Sequence, residues 1–106
     1  MKNKLEIIPP GTILQEEFME PLGITAYKLS KEIKVQQTAI SLIIKGRRRI
    51  SVDMALRLSK YFGNSALFWL NLQNHYDLET EIEKKKNVFK EIAPLNSVAE
   101  KIQVYA

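Results

Sequence analysis

The chain has 106 residues, of which 45% are hydrophobic and 26% charged, with a formal net charge of +4. This length supports one modest hydrophobic core and is too short for two, so we expect a single domain with a tail. The absence of cysteine excludes a disulfide framework and a thiolate zinc site. No apolar run has the length of a signal peptide or a membrane span, so we expect a cytoplasmic protein without a membrane partner.

The positive charge is concentrated in one part of the chain. The net charge is about −2 for residues 1–24, +7 for 25–60, −4 for 61–83 and +3 for 84–106. An excess of this size in one segment is typical of a surface that binds a polyanion.

The first predicted helix follows two prolines and a glycine at positions 9–11. In the stretch TILQEEFME, Leu14 and Phe18 fall on one helical face. Pro21 biases Glu20 away from helical backbone, so we expect the helix to end there.

Residues 25–51 show the spacing of a helix-turn-helix motif, with two short amphipathic helices, a tight connection and a cluster of arginines. The first of these helices would begin at its cap, Thr25, and bury Leu29 and Ile33. The small side chain of Ser30 would let the second helix approach closely. Two packed helices are common in all-α domains, so the spacing supports DNA binding only together with the chemistry of the outward face.

The second helix of the motif would start near Gln36 and turn a mostly polar face outward. Its buried side would carry Ile40, Ile43 and Ile44, which leaves Gln37, Thr38, Ser41, Leu42 and Lys45 outside. Gln37 is the strongest candidate for base readout, because its amide can donate to and accept from adenine. Gln36 would orient Gln37 or bind phosphate, and Arg47, Arg48 and Arg49 would contact phosphates rather than form a merely solvated turn.

Two further helices are expected after the arginines. Ser51 would cap the first, which stops at Gly63, and Ser65 would open the second. The first has one helical face that carries Ala55, Leu58, Ser59 and Phe62. The longer helix after Ser65 carries two apolar stripes and therefore needs two partners. We expect the domain core to cover one and a homodimer interface to cover the other. The first stripe contains Trp69, Leu72 and Tyr76, and the proposed dimer interface contains Leu67, Leu70 and Leu78.

The predicted fold class is all-α, with a helix-turn-helix domain over residues 1–82 and a partly ordered tail over residues 83–106. The tail contains a lysine run, a short amphipathic piece with Phe89 and Ile92, and an interrupting proline at position 94. Only residues 102–105 show an alternation that would suit a strand.

The chain resembles the HigA-type antitoxins, also called virulence-associated protein I-like, of the Xre-like helix-turn-helix group. The resemblance runs from about Pro10 to Leu78 and is carried by PGTILQEEFMEPLGIT, the helix-turn-helix, GRRRISVDMALRLSKYFGNS and the distinctive FWLNLQNHYDL. It implies a compact five-helix domain like those of Xre and lambda repressor, dimerisation, and repression of the protein's own operon. It also implies neutralisation of a RelE-like endoribonuclease toxin that cleaves mRNA. The residues it assigns to DNA contact are Gln36, Gln37, Thr38, Ser41, Lys45, Arg47 and Arg48.

One departure from the family pattern concerns the turn of the motif. The family usually has a glycine where this chain has Lys34, which must therefore accept a left-handed backbone or adopt another turn.

Other functions remain open at this point. A solitary Xre-like repressor without a toxin would have the same DNA-binding residues, and a pure protein-interaction module would use the exposed stripe and show no salt-dependent DNA binding. An enzyme is not expected, because the only histidine, His75, has no cysteine or second histidine for a metal site or nucleophile pair. No cofactor is expected either.

Overall fold

The computed structural model describes residues 7–95, and all regular secondary structure within them is helical. The all-α prediction is confirmed, and in this range no helix has the length and apolar character needed to cross a membrane. The first helix, α1, has three consecutive segments, Pro10–Ile13, Leu14–Met19 and Glu20–Leu22. The others are α2 Ala26–Ile33, α3 Gln37–Ile44, α4 Val52–Phe62, α5 Ala66–Lys84 and α6 Lys86–Lys90.

Helix α1 continues past the point where the sequence predicted its end. The segment Leu14–Met19 is π-helical, and the Glu20 N–H bonds to the carbonyl of Gln15, five residues back. Because this wider turn accommodates the proline ring, Pro21 lies inside the last segment, and the helix ends at Gly23 with a left-handed backbone. The prediction that the helix ends before Pro21 was therefore wrong.

Trp69 lies at the centre of the core and is fully buried. Its ring centroid lies 4.7 Å from that of Phe18, 5.0 Å from that of Phe68 and 6.0 Å from that of Phe62. Its indole Nε1 donates a hydrogen bond to Asn64 Oδ1 at 2.9 Å, so the polar atom of this buried side chain has a partner. This aromatic cluster fastens α1, α4 and α5 to one another.

Helices α1 and α3 meet at Gly11 with their backbones in contact. A Cβ atom at position 11 would lie only 1.9 Å from the carbonyl oxygen of Ile43. Only glycine permits this approach. The contact fixes α3 against α1, and it thereby sets the orientation of the helix that carries the candidate DNA-reading side chains.

The two apolar stripes predicted for α5 are not separated in the way that the sequence suggested. Leu67 and Leu78 are 65% and 61% exposed, but Leu70 is half-buried and packs against the core. Leu70 therefore does not share the exposed face, because its position on the helix turns it toward the domain's own interior. Of the three residues predicted for the dimer interface, Leu67 and Leu78 are therefore the exposed ones.

Helix α5 crosses the predicted boundary between domain and tail at residues 82 and 83. Near its end, Lys85 Nζ lies 2.8 Å from Glu81 Oε2 one helical turn away, an arrangement that supports the last turn. The hydrogen bond from Lys85 lowers the pKa of Glu81 below its ordinary value. The tail then forms the short helix α6, which buries none of its residues. The strand suggested for residues 102–105 lies outside the described part of the chain.

Candidate nucleic-acid interface

Helices α2 and α3 form the predicted helix-turn-helix. Thr25 caps α2, since its Oγ1 accepts a hydrogen bond from the Lys28 N–H at 3.0 Å. Leu29 and Ile33 are buried, as the spacing predicted. Ser30 is only 3% exposed, and its hydroxyl donates to the carbonyl of Tyr27 at 2.7 Å. The small side chain expected at this position is therefore buried, and its polar atom has a partner within α2.

The turn between the helices is held in a left-handed conformation at Lys34, where φ is 62° and ψ is 49°. The sequence left open whether Lys34 accepts a left-handed backbone or the chain adopts another turn. Lys34 accepts the left-handed backbone, which is strained for a residue with a side chain. The Val35 N–H bonds to the Ser30 carbonyl at 3.0 Å and closes the end of α2.

Arg57 on α4 stabilises this turn by hydrogen bonds, a role that the sequence did not predict. Its guanidinium donates to the carbonyl oxygens of Ile33 at 2.8 Å and Lys34 at 3.1 Å, while its Nε bonds Asp53 at 2.7 Å. The spacing of Asp53 and Arg57 on one helix face indicates their ion pair. Nothing local to the sequence indicates the reach of Arg57 to a turn 23 residues earlier.

Helix α3 buries Ala39, Ile40 and Ile43, while Ile44 is only partly covered. Gln36 is its N-cap residue, as predicted, but its side chain makes no capping hydrogen bond and stays available for another partner. The remaining predicted contacts on α3 lie on the solvent side. Gln37 and Thr38 are exposed there, and Ser41 and Leu42 are half-exposed. Lys45, the residue directly after the helix, is also exposed.

The arginine loop, which we define as residues 45–51, follows α3 directly. The Arg47 N–H bonds the Leu42 carbonyl at 2.8 Å and the Gly46 N–H bonds the Ile43 carbonyl at 3.0 Å, so the loop starts as a tight turn on the end of α3. Arg47, Arg48 and Arg49 are all exposed. This turn places three consecutive exposed arginines directly after α3.

An open groove runs between the start of α3, the arginine loop and the start of α4, with a volume of about 800 Å³. Gln36, Thr38 and Arg48 line it, together with Ser51 and Asp53. The structure thus brings together three of the seven predicted DNA contacts along one groove. A smaller groove of about 220 Å³ borders the other side of the loop, and its lining includes Pro10, Arg47 and Tyr76.

This fold and surface define a helix-turn-helix DNA-binding domain, in which an exposed second helix carries amide and hydroxyl groups and arginines follow it. The helix-turn-helix family model matches residues 16–70. Virulence-associated protein I of Dichelobacter nodosus is 39% identical over 103 residues, which cover 97% of this chain and 94% of that protein. Antitoxin HigA-1 of Vibrio cholerae is 32% identical over 94 residues, which cover 89% of each.

A solved structure of the Pseudomonas aeruginosa antitoxin HigA with the higBA promoter has a TM-score of 0.81 and 41% identity to this chain. The match covers 85% of this chain and 99% of that one. The chain belongs to the HigA-type antitoxins of the Xre-like helix-turn-helix family. This family consists of DNA-binding regulators rather than enzymes, in agreement with the expectation from the sequence.

Proposed function

We propose that this protein binds operator DNA through α3 and the arginine loop and represses the operon that encodes it. The observation that carries the proposal is the continuous exposed surface in which Gln36, Thr38 and Arg48 line one groove beside Gln37. The HigA relative of Pseudomonas aeruginosa was solved with the higBA promoter, which supports DNA binding by this chain.

The side chains of this surface have different roles in the proposal. Gln37, at the exposed start of α3, reads an adenine edge through two hydrogen bonds, and Leu42 rests on a thymine methyl group. Thr38 and Ser41 bind a base or a phosphate. Lys45, Arg47 and Arg48 neutralise phosphates and give the complex its salt dependence.

Fluorescence anisotropy tests this proposal. Purified protein is titrated into labelled DNA from immediately upstream of its own operon and into scrambled DNA, at several salt concentrations. We expect tight binding to the upstream DNA that weakens linearly in the logarithm of salt concentration, and much weaker binding to the scrambled sequence. Equal, weak binding to both would contradict the proposal and favour a protein-interaction module.

We also propose that the protein is the antitoxin of a toxin-antitoxin pair and neutralises a RelE-like endoribonuclease that cleaves mRNA. Family membership supports this role. The test is co-expression with the product of the adjacent reading frame, followed by co-purification and a growth assay. A toxic neighbour of roughly one hundred residues that this protein binds and silences is the expected result. A neighbour that is neither toxic nor bound would favour the solitary repressor.

The proposal includes a homodimer that forms through Leu67 and Leu78 on the exposed stripe of α5. Both side chains are more than half exposed, and exposed apolar residues on one face of a small domain usually mark an interface. A two-fold dimer requires a near-palindromic operator with half-sites about 34 Å apart or a multiple of that distance. Footprinting of the upstream DNA would show this spacing.

A further inference from the structure

A chain of hydrogen bonds ties the arginine loop to α5. The Ile50 N–H donates to Gln73 Oε1 at 2.8 Å, and Gln73 Nε2 donates to Asp77 Oδ1 at 3.0 Å. The other carboxylate oxygen of Asp77 forms an ion pair with Arg49. The DNA contacts proposed above use neither Gln73 nor Asp77, and Arg49, which the sequence suggested as a phosphate contact, is instead paired with Asp77.

Gln73, the buried residue in this series of hydrogen bonds, has a fixed amide orientation. Gln73 is only 4% exposed, and both ends of its amide are engaged. Because the Ile50 N–H is a donor, it requires the oxygen of the Gln73 amide, and the nitrogen must then point toward Asp77. The Gln73 amide therefore links the backbone of the arginine loop to the Asp77 carboxylate, which in turn pairs with Arg49.

The three consecutive arginines are not equivalent. Arg49 is paired with Asp77, whereas within residues 7–95 Arg47 and Arg48 form no ion pair with an acidic side chain. Charge-assisted bonds between guanidinium and carboxylate are directional, so the pair restricts the loop as well as neutralising one charge. Arg49 thus anchors the loop, and Arg47 and Arg48 are left to bind an anion.

We propose that Gln73 and Asp77 are positioning residues for DNA binding, which fix the arginine loop through Ile50 and Arg49 so that Arg47 and Arg48 reach phosphates. This inference rests on the proposed DNA-binding function. It assigns a role to two residues of the FWLNLQNHYDL segment, which lies on a helix outside the helix-turn-helix.

The charge of Asp77 makes the proposal testable by whether removing it raises or lowers the affinity for operator DNA. A carboxylate beside a phosphate-binding surface repels DNA, so its removal alone should tighten binding to every sequence. If Asp77 positions the arginine loop, its removal should instead weaken binding to the operator. The two explanations predict opposite changes.

The decisive comparison is between Asp77→Asn and Glu79→Gln in the full chain. Both substitutions remove one negative charge from α5, but Glu79 forms no ion pair within the described residues. Asparagine keeps the shape of Asp77 and an oxygen for Gln73. We expect Asp77→Asn to weaken operator binding roughly threefold to tenfold, and Glu79→Gln to tighten operator and scrambled DNA slightly and equally.

Arg49→Ala supplies an independent variant at an exposed position. If Arg49 anchors the loop, this variant should lose operator affinity while its salt slope stays near the wild-type value, whereas Arg48→Ala should lower the slope by about one unit. Combining Arg49→Ala with Asp77→Asn should add no further loss, because both changes break the same pair. Thermal unfolding of each variant confirms that folded protein is compared.

Two results would overturn the inference. In the first, Asp77→Asn binds the operator as tightly as Glu79→Gln or more tightly. In the second, Arg49→Ala lowers the salt slope by as much as Arg48→Ala does. Both require wild-type protein that binds the upstream DNA specifically. Failure of the wild type to bind would instead refute the DNA-binding function itself.

Discussion

Gln73 on α5 accepts a hydrogen bond from the backbone N–H of Ile50 at 2.8 Å, across 23 residues of sequence. Ile50 is 1% exposed and Gln73 is 4% exposed, so neither group has water as a ready substitute. The bond satisfies a backbone donor at the point where the arginine loop enters the core. It joins the proposed DNA-binding surface to the helix that carries the exposed leucines.

Replacing Gln73 by alanine should destabilise the domain, because the Ile50 N–H would remain buried without an acceptor. We expect a loss of about 2–3 kcal/mol in the free energy of unfolding, measured by urea denaturation. Asn71→Ala is the matched control, since Asn71 is exposed on the same helix. It should change stability by less than about 0.5 kcal/mol. Equal stabilities of the two variants would show that the buried hydrogen bond is unimportant.

Gly11→Ala should destabilise the domain more than Gly46→Ala does, although Gly46 is the glycine with a positive φ. The new Cβ would overlap the Ile43 carbonyl oxygen and push α1 away from α3, at a cost of about 2–3 kcal/mol or more. Gly46→Ala, with open space around position 46, should cost only about 1 kcal/mol for its left-handed backbone. Thermal unfolding of both variants gives the comparison. The reverse order of stabilities would contradict the close contact of α1 and α3.

Lys34→Gly should stabilise the protein, since a lysine in the left-handed region at φ 62° is strained. The relief of strain exceeds the added entropy of glycine in the unfolded chain, and we expect a gain of about 0.5–1 kcal/mol. Lys31→Gly, in the interior of α2, should instead lose about 1 kcal/mol. Urea denaturation distinguishes these signs. A loss of stability on Lys34→Gly would mean that the lysine side chain makes a favourable contact at the turn.

The double substitution Leu67→Asp and Leu78→Asp should convert the proposed dimer to a monomer without unfolding it, because both side chains are mostly exposed. Leu22→Asp is the control, since Leu22 is 63% exposed on α1. Sedimentation velocity should give a dimer for wild type and control and a monomer for the double variant. A double variant that stays dimeric would exclude this face of α5 as the interface.

The parts of the fold that the sequence predicted are those determined by neighbouring residues. Thr25 and Ser51 cap their helices because an N-cap contact spans three residues, and both contacts are present. Leu29 and Ile40 are buried because helical periodicity identifies the inner face. The exposure of Gln37 follows from the same periodicity.

The features that the sequence did not predict depend on long-range contacts or on rare backbone geometry. The bonds from Arg57 to Lys34 and from Arg49 to Asp77 join residues 23 and 28 positions apart. The continuation of α1 through Pro21 depends on a π-helical segment that helical periodicity does not reveal. Leu70 was misplaced because the direction of α5 relative to the core, rather than the spacing of its leucines, decides which of them are covered.

In the proposed complex, α3 reads bases while the arginine loop binds phosphates. The most direct measurement is fluorescence anisotropy of Gln37→Ala and Arg48→Ala with upstream and scrambled DNA at several salt concentrations. Gln37→Ala should lose about 1–3 kcal/mol of discrimination between the two DNAs, whereas Arg48→Ala should weaken both similarly and flatten the salt slope. Equal effects of the two substitutions on specific and scrambled DNA would contradict this division of roles.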